Sequence, residues 1–346
     1  MVSILDIFLH HLESRFFKSK LLKILRGLGS LSFSFFATFV MEDSKSHIRS
    51  LYTICLEYIV NHNESLTALD HVPFQPFASD IIHGIFQSKK RLEKTTLSIF
   101  GKTYGQYLLR HIPPEWTSIQ FSYFKLAGSS AIVLGFISQH FPMFVTRLDM
   151  SYTDIQDKHI SLLNGFKHLS VLNLRGARLL SDSAVSDLSA MVIYKGLPAL
   201  EEISLSDIPS ITDRSLKHIG KMESLCYIDL TSTSVTGKVA DMYLIKLGFT
   251  KTDEKRHQQQ PPPCIKLHQD ILDMVLASTD FVRGINMPIK PSTSLSRNLC
   301  YKRAQTHVEQ VQKRKLSYDD NKRKKVRNEL NLDVYFDSIV NEFLQD

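Results

Sequence analysis

The sequence predicts an α/β chain built from short repeated units of strand, turn and helix, with a helical segment before them and a basic tail after them. Three observations carry that expectation: a six-residue apolar pattern that recurs four times, an aspartate-led helix motif after each of the first three copies, and a charge excess confined to the C-terminal end.

The recurring pattern is VTRLDM (145–150), LSVLNL (169–174), LEEISL (200–205) and LCYIDL (225–230). Each reads apolar-x-x-apolar-x-apolar. Alternate residues of a strand face opposite sides, so Leu148/Met150, Leu172/Leu174, Ile203/Leu205 and Ile228/Leu230 are expected to point into one core. From Leu148 the equivalent residues follow at intervals of 24, 31 and 25 residues. The long interval carries extra residues between Met191 and Leu200, expected on the surface at the helix-to-strand side. Ile119 and Phe121 stand 29 residues before Leu148 and Met150 and fit a degenerate first copy.

The second motif is IQDKHISLL (155–163), LSDSAVSDL (180–188) and ITDRSLKHI (211–219). Asp157, Asp182 and Asp213 are expected to be structural helix caps, their carboxylates accepting N–H groups of their own helix's first turn. Steps of three from each aspartate give apolar stripes: Ile160/Leu163/Phe166, Val185/Leu188/Met191 and Leu216/Ile219/Met222. Strand, turn and capped helix at this period describe a short right-handed leucine-rich-repeat solenoid of about four or five repeats, with parallel strands on its concave side.

The flanks complete the expected organisation. Residues 1–45 form a leader of uncertain membership in the fold. Its uncharged stretch Gly27–Met41 is short of the roughly 20 residues a membrane span needs, and no membrane association is expected. Residues 46–113 form a helical N-terminal cap ended by Pro113 and Pro114, and 114–250 the repeats. Residues 251–300 are a linker, opened by KRHQQQPPP (255–263), with a short helix at Ile271–Leu276; 301–346 are a disordered basic tail and an amphipathic helix. A chain ending at Pro263 is accordingly expected to keep the repeat fold. Ten of the 42 basic and three of the 35 acidic residues lie between 301 and 327, leaving 32 of each sign elsewhere.

The motif after each strand resembles the ribonuclease-inhibitor-like branch of leucine-rich repeats. SLYTICLEYI (50–59), KTYG (102–105), GLPALEEISLSDIPSITDRSLKHIGKMESLCYIDLTSTSV (196–235), NLCYKRA (298–304) and the lysine-rich tail resemble the leucine-rich repeat-containing protein 42 family. The resemblance covers roughly residues 46–325 and is strong only in the repeats. It implies an interaction protein and transfers no catalytic residue. Thr153, Ala177, Ile208 and Thr233 stand where many repeats carry Asn or Cys, so a regular asparagine ladder is absent.

Enzyme signatures fail. Gly101-Lys102-Thr103 matches the end of a phosphate-binding loop, but Thr96 replaces its first glycine. The four cysteines lie far apart, and no metal, cofactor or small-molecule substrate is expected. The concave strand residues Arg147, Asp149, Asn173, Arg175, Glu202, Ser204, Tyr227 and Asp229 are the expected binding surface. Their mixed chemistry suits a protein partner better than nucleic acid, whose phosphates demand a basic face. Leu51, Cys55 and Ile59 match the box by which substrate receptors of cullin-type ubiquitin ligases hold elongin C, a helix-in-groove contact; the plainer reading is the inner face of a cap helix. Lys322, Arg323, Lys324 and Lys325 match a signal for a nuclear-import receptor, which places the protein in the nucleus, with the cytoplasm as a second location. Three functional readings stand open: a nuclear scaffold, a ligase substrate receptor, and non-specific nucleic-acid binding through the tail.

Overall fold

A computed structural model describes residues 51–66, 68–69, 72–124, 130–253, 262–278 and 299–303. The leader, the import signal and the C-terminal amphipathic segment lie outside the described residues. The chain divides into two compact units, Met1–Ile112 and Pro113–Asp346. The division falls at the Pro113-Pro114 pair.

In the first unit, helices α1 (Leu51–Asn61), α2 (Ser79–Gln87) and α3 (Lys94–Leu109) bury Cys55, Ile59, Ile82, Ile85, Leu97 and Phe100. Helices α1 and α2 approach closely because Gly84 lacks a side chain: a Cβ there would lie 2.7 Å from a methyl of Val60. The buried Asn63 amide donates to the Val60 carbonyl (3.3 Å), and the Thr96 hydroxyl donates to the Asn63 carbonyl (3.0 Å), tying the end of α1 to α3. Helix α3 kinks at Gly105, whose φ of 49° no ordinary helical residue adopts. Gly101-Lys102-Thr103 lies inside α3, not on a loop.

The second unit is α/β. Strands β1 (Ser118–Gln120), β2 (Arg147–Asp149), β3 (Val171–Asn173), β4 (Glu202–Ser204), β5 (Tyr227–Asp229), β6 (Phe249–Thr252) and β7 (Cys300–Arg303) form one open sheet in the order β1-β2-β3-β4-β5-β7-β6. The first five are parallel, and Ile119, Leu148, Leu172, Ile203 and Ile228 fall in one register row, each at most 1% exposed. The expected pairing of Ile119 with Leu148 therefore holds.

The parallel ladder runs on beyond the strands. Tyr152 donates its backbone N–H to the Arg175 carbonyl (2.7 Å), Gly176 to Ser206 (2.8 Å) and Asp207 to Thr231 (2.9 Å). Each donor, together with Ser232, sits two residues past the last inward apolar residue and has a left-handed backbone: φ is 56° at Tyr152, 66° at Gly176, 60° at Asp207 and 59° at Ser232. A left-handed residue at this point turns the chain off the sheet in four successive units. Three of the four positions carry side chains, which cost on the order of 1 kcal/mol or more each in this conformation. Gly176 is required for a second reason: a Cβ there would meet the Tyr152 ring.

The connecting helices are α4 (Ser130–His140), a 3-10 segment (Asp157–Leu163), α5 (Asp182–Ile193), α6 (Arg214–Gly220) and α7 (Gly237–Lys246). Eight of the nine stripe residues are buried and Met191 is half-buried. The first segment winds as a 3-10 helix, the form short pieces adopt, because the Asn164-Gly165 turn stops it after seven residues. The extra residues after Met191 lie at the surface only in part: Tyr194 is 81% exposed and the Lys195 carbonyl accepts the Lys167 ammonium (2.7 Å), but Gly196 and Leu197 are buried.

Two expectations are overturned. The aspartates do not cap their own helices. Asp157 and Asp182 are first helical residues, after the N-caps Gln156 and Ser181; Asp213 is an N-cap position without a side-chain cap bond. Their carboxylates reach the next unit instead. Asp157 accepts the Ser181 N–H (2.8 Å) and hydroxyl (2.5 Å); Asp182 accepts the Thr212 N–H (2.8 Å), the Thr212 hydroxyl (2.6 Å) and the Ser215 hydroxyl; Asp213 accepts the Thr236 N–H (2.7 Å). Being on the first turn, each carboxylate points backward along its helix, toward the start of the neighbouring one.

Nor is 251–300 a linker around a six-residue helix. Helix α8 runs Ile265–Ser278 and buries Leu267, Ile271, Met274 and Val275. Strand β7 is inserted antiparallel between β5 and β6, pairing Asp229 with Cys300 and Thr252 with Cys300. Tyr301 is fully buried and donates its hydroxyl to Asp241 (2.6 Å), which also pairs with Lys251 (3.2 Å). Burial, then the Asp241 carboxylate, push the Tyr301 phenol far above the usual tyrosine range.

Candidate partner-binding surface

The eight strand residues expected to face a partner fall into two groups. Arg147, Asp149, Arg175 and Glu202 are half-buried, whereas Asn173, Ser204, Tyr227 and Asp229 are buried. The expectation that all eight face outward is therefore corrected, and the cause is local. Asp149 accepts the N–H of Ser151 (2.9 Å), Asn173 that of Arg175 (3.1 Å) and Asp229 that of Thr231 (3.0 Å). These short side chains fold back onto their own backbone two residues on, a turn-forming habit of Asn and Asp. In the same register row Ser204 lies 3.0 Å from the Ser206 hydroxyl and 3.5 Å from Asp229.

At the β5 end, β7 closes over the row. The Cys300 thiol lies 3.4 Å from the Asp229 carboxylate and 3.5 Å from the Thr231 hydroxyl, and also bonds Tyr227. Burial raises the Cys300 pKa, so this cysteine is a protonated packing residue. Arg303 crosses the Phe249 ring at 4.0 Å.

What remains open is a rim built from the left-handed turns. Arg175 donates its Nε–H to Asp207 (2.7 Å); the Tyr152 hydroxyl donates to the same carboxylate oxygen (3.3 Å), and the guanidinium carbon lies 5.7 Å from the Tyr152 ring centre. Three adjacent units thus contribute one residue each. The Arg175 side chain is 42% exposed and that of Asp207 18%. Burial pulls the Arg175 pKa down, but the Asp207 hydrogen bond and the charges of Tyr152, Asp207 and Asp229 together more than offset it, leaving a permanent cation. Burial raises the Tyr152 pKa, so the phenol stays protonated and able to donate. The Arg175 and Tyr152 side chains also bond each other, so the three residues form one connected cluster. Burial, reinforced by the neighbouring Glu202 charge, raises the pKa of Glu201 beside this surface.

Sequence reasoning missed Tyr152 and Asp207. The signal was their place two residues past Met150 and Leu205, matching Gly176 past Leu174, since Gly, Asp and Asn are the residues that enter left-handed turns.

The other candidate sites are placed as follows. Cys55 and Ile59 are buried in the core of the first unit, facing their own helices instead of a partner's pocket, and burial raises the Cys55 pKa. The Leu51 side chain and Lys322–Lys325 lie outside the described residues. Among the described residues, no group of three His, Cys, Asp or Glu could hold a metal ion, and no helix is long and apolar enough to cross a membrane. Compared with known proteins, the chain matches no family model and no curated protein.

Proposed function

We propose that residues 114–250 form a short right-handed leucine-rich-repeat solenoid of the leucine-rich repeat-containing protein 42 kind, and that it is a non-catalytic nuclear scaffold which holds a protein partner. The observation that carries this reading is the Tyr152–Arg175–Asp207 rim. One guanidinium is fixed at Nε by the next unit and flanked by the tyrosine of the previous one, with its side chain still 42% exposed. A pre-oriented arginine beside a tyrosine is the composition of an interface anchor, because little side-chain freedom is lost on binding.

The charges around the rim also favour a protein as the partner. Arg147 and Arg175 share the surface with Asp149, Glu202 and Asp207, a balance of signs that suits a protein and would repel much of a phosphate backbone. Nuclear placement rests on Lys322–Lys325 and an import receptor. The elongin C reading loses support, since two of its three box residues are core residues of the first unit.

The test is affinity purification from nuclear extract with three forms of the full chain: wild type, Arg147→Glu/Arg175→Glu, and a form with Lys322, Arg323, Lys324 and Lys325 replaced by Ala. The reading expects proteins that the arginine reversal loses and the tail variant keeps. Retention of every bound protein by the reversal would remove the rim from consideration.

A further inference from the structure

The open edge of β1 is covered by α8, and the contact turns on one histidine. The backbone N–H of Gln120 donates to Nε2 of His268 across 2.8 Å, and Nδ1 of the same ring lies 2.9 Å from the Cys264 carbonyl. A nitrogen that accepts an N–H carries no proton, and one that faces a carbonyl must carry one. The ring is therefore the neutral Nδ1–H form. It is only 3% exposed, with the Tyr123 and Phe124 rings centred 5.2 Å and 5.4 Å away. The same turn of α8 is tied to the strand's approach by the Cys264 N–H, which donates to the Glu115 carbonyl (3.4 Å).

We propose that His268 is a proton-sensitive latch: neutral, it pins α8 over the edge of β1, and protonated, it releases that edge. A second ring proton would set Nε2–H against the Gln120 N–H and abolish the hydrogen bond that seats the ring on β1. The ionisable groups around it do not compensate. Gln120 brings none, the Phe121–Tyr123 turn brings only the Tyr123 phenol, and α4, which packs on α8, carries only His140, held against Phe136. Its own helix brings Cys264, Lys266, Asp270 and Asp273, the last engaged by Gln269 (2.9 Å). Burial lowers the His268 pKa, the Cys264 carbonyl restores part of it, and no carboxylate among the described residues offsets the rest.

The sign follows by linkage. A released imidazole protonates near pH 6.5, and the docked one only at lower pH. Docking is therefore fully favoured above about pH 6.5 and weakens by up to about tenfold for each pH unit below it, until the docked pKa is reached. Release would take α8 off the outer side of β1, the kind of strand edge to which an extended segment adds.

Hydrogen exchange of 265–278 and of the Gln120 amide in the full chain, corrected for intrinsic rates, reads the latch directly. Fluorescence of Trp116, the sole tryptophan and next to Glu115, reports the same event. Opening should rise by up to about fivefold between pH 6.5 and 5.5 in wild type and stay flat in His268→Gln, whose side-chain oxygen accepts the Gln120 N–H without titrating. Exchange that ignores pH in wild type, or an unchanged rise in the variant, would overturn the proposal. Should the variant fail to fold, ring-nitrogen shifts in the wild type decide: a doubly protonated His268 at pH 6.5 with 265–278 still protected sinks the latch, and a neutral ring there whose protonation at lower pH coincides with opening supports it.

Discussion

Between β2 and β5, each unit holds the next through a carboxylate that reaches partners 23 to 33 residues away; at the two ends of the parallel run, the contacts come from segments 69 to 148 residues distant. The middle is nearest-neighbour architecture, in which the same contact is made again with each new unit. The ends are not. Strand β7 passes over the edge that β5 would leave open, and α8 returns to β1 at the opposite end of the parallel run. A stack of units alone leaves two unpaired edges; here later chain extends the β5 side through β7 and β6 and lays α8 against the β1 side. Local coupling thus sets the form of the array, while non-local closure sets whether it stands alone.

The comparison is broken most severely by truncation. A chain ending at Pro263 loses β7 and α8, and with them the burial of Leu267, Ile271, Met274, Val275, Leu299 and Tyr301. For six side chains at roughly 1.5–3 kcal/mol each the loss is at least about 9 kcal/mol, or on the order of 20 °C in melting temperature. A chain ending at Arg303 should melt like the wild type and lose only nuclear accumulation. Thermal denaturation of both, with imaging of the longer one, checks this. Equal melting of the Pro263 form and the wild type would show that the ends are ornamental.

Within the array, Leu172→Ala comes next. The side chain is fully buried at the centre of the register row, and its removal should cost about 2–5 kcal/mol by urea denaturation.

The aspartates then sharpen the account of how units are joined. Caps of equivalent helices would predict equal losses, about 1 kcal/mol each. The observed bonds predict a gradient. Asp182 accepts three hydrogen bonds from the next unit, one of them from Ser215, and its replacement by Ala should cost about 2–3 kcal/mol. Asp213 accepts one, from the exposed Thr236, and its replacement should cost about 1 kcal/mol or less. Equal losses would return the aspartates to a capping role.

This gradient shows how much was legible in the sequence. Spacing alone located β1 through β5, their inward rows and the helix stripes, because a local apolar period leaves a local trace. The destination of the aspartates was also written there, as Ser181, Thr212 and Thr236, a hydroxyl one unit later each time, but only pairwise comparison of units shows it. Helix α8 left a partial signal in Leu267, Ile271 and Met274, obscured by the prolines before it. Strand β7 left none: CYKR has no distinctive alternation, and its partner Asp229 is 71 residues away. The outward residues were misjudged because Asn173 and Asp229 read equally well as ligand contacts or as turn formers, and the strand pattern does not separate the two.

The smallest expected change in stability falls on the surface proposed to bind. Arg147→Glu/Arg175→Glu removes a contact between Arg175 and Asp207 whose cationic partner is 42% exposed, and half-exposed ion pairs contribute less than about 1 kcal/mol. A glutamate at 175 also faces the Asp207 carboxylate, but solvent screens that repulsion over most of its approach. The left-handed backbone at Tyr152 and Asp207 is set by the ladder bonds from their N–H groups, which the substitutions leave in place. The melting temperature should therefore move by no more than a few degrees while the partner is lost. If instead the reversal melts the array as Leu172→Ala does, the rim is part of the framework that joins the units, and the binding surface must be sought elsewhere on the molecule.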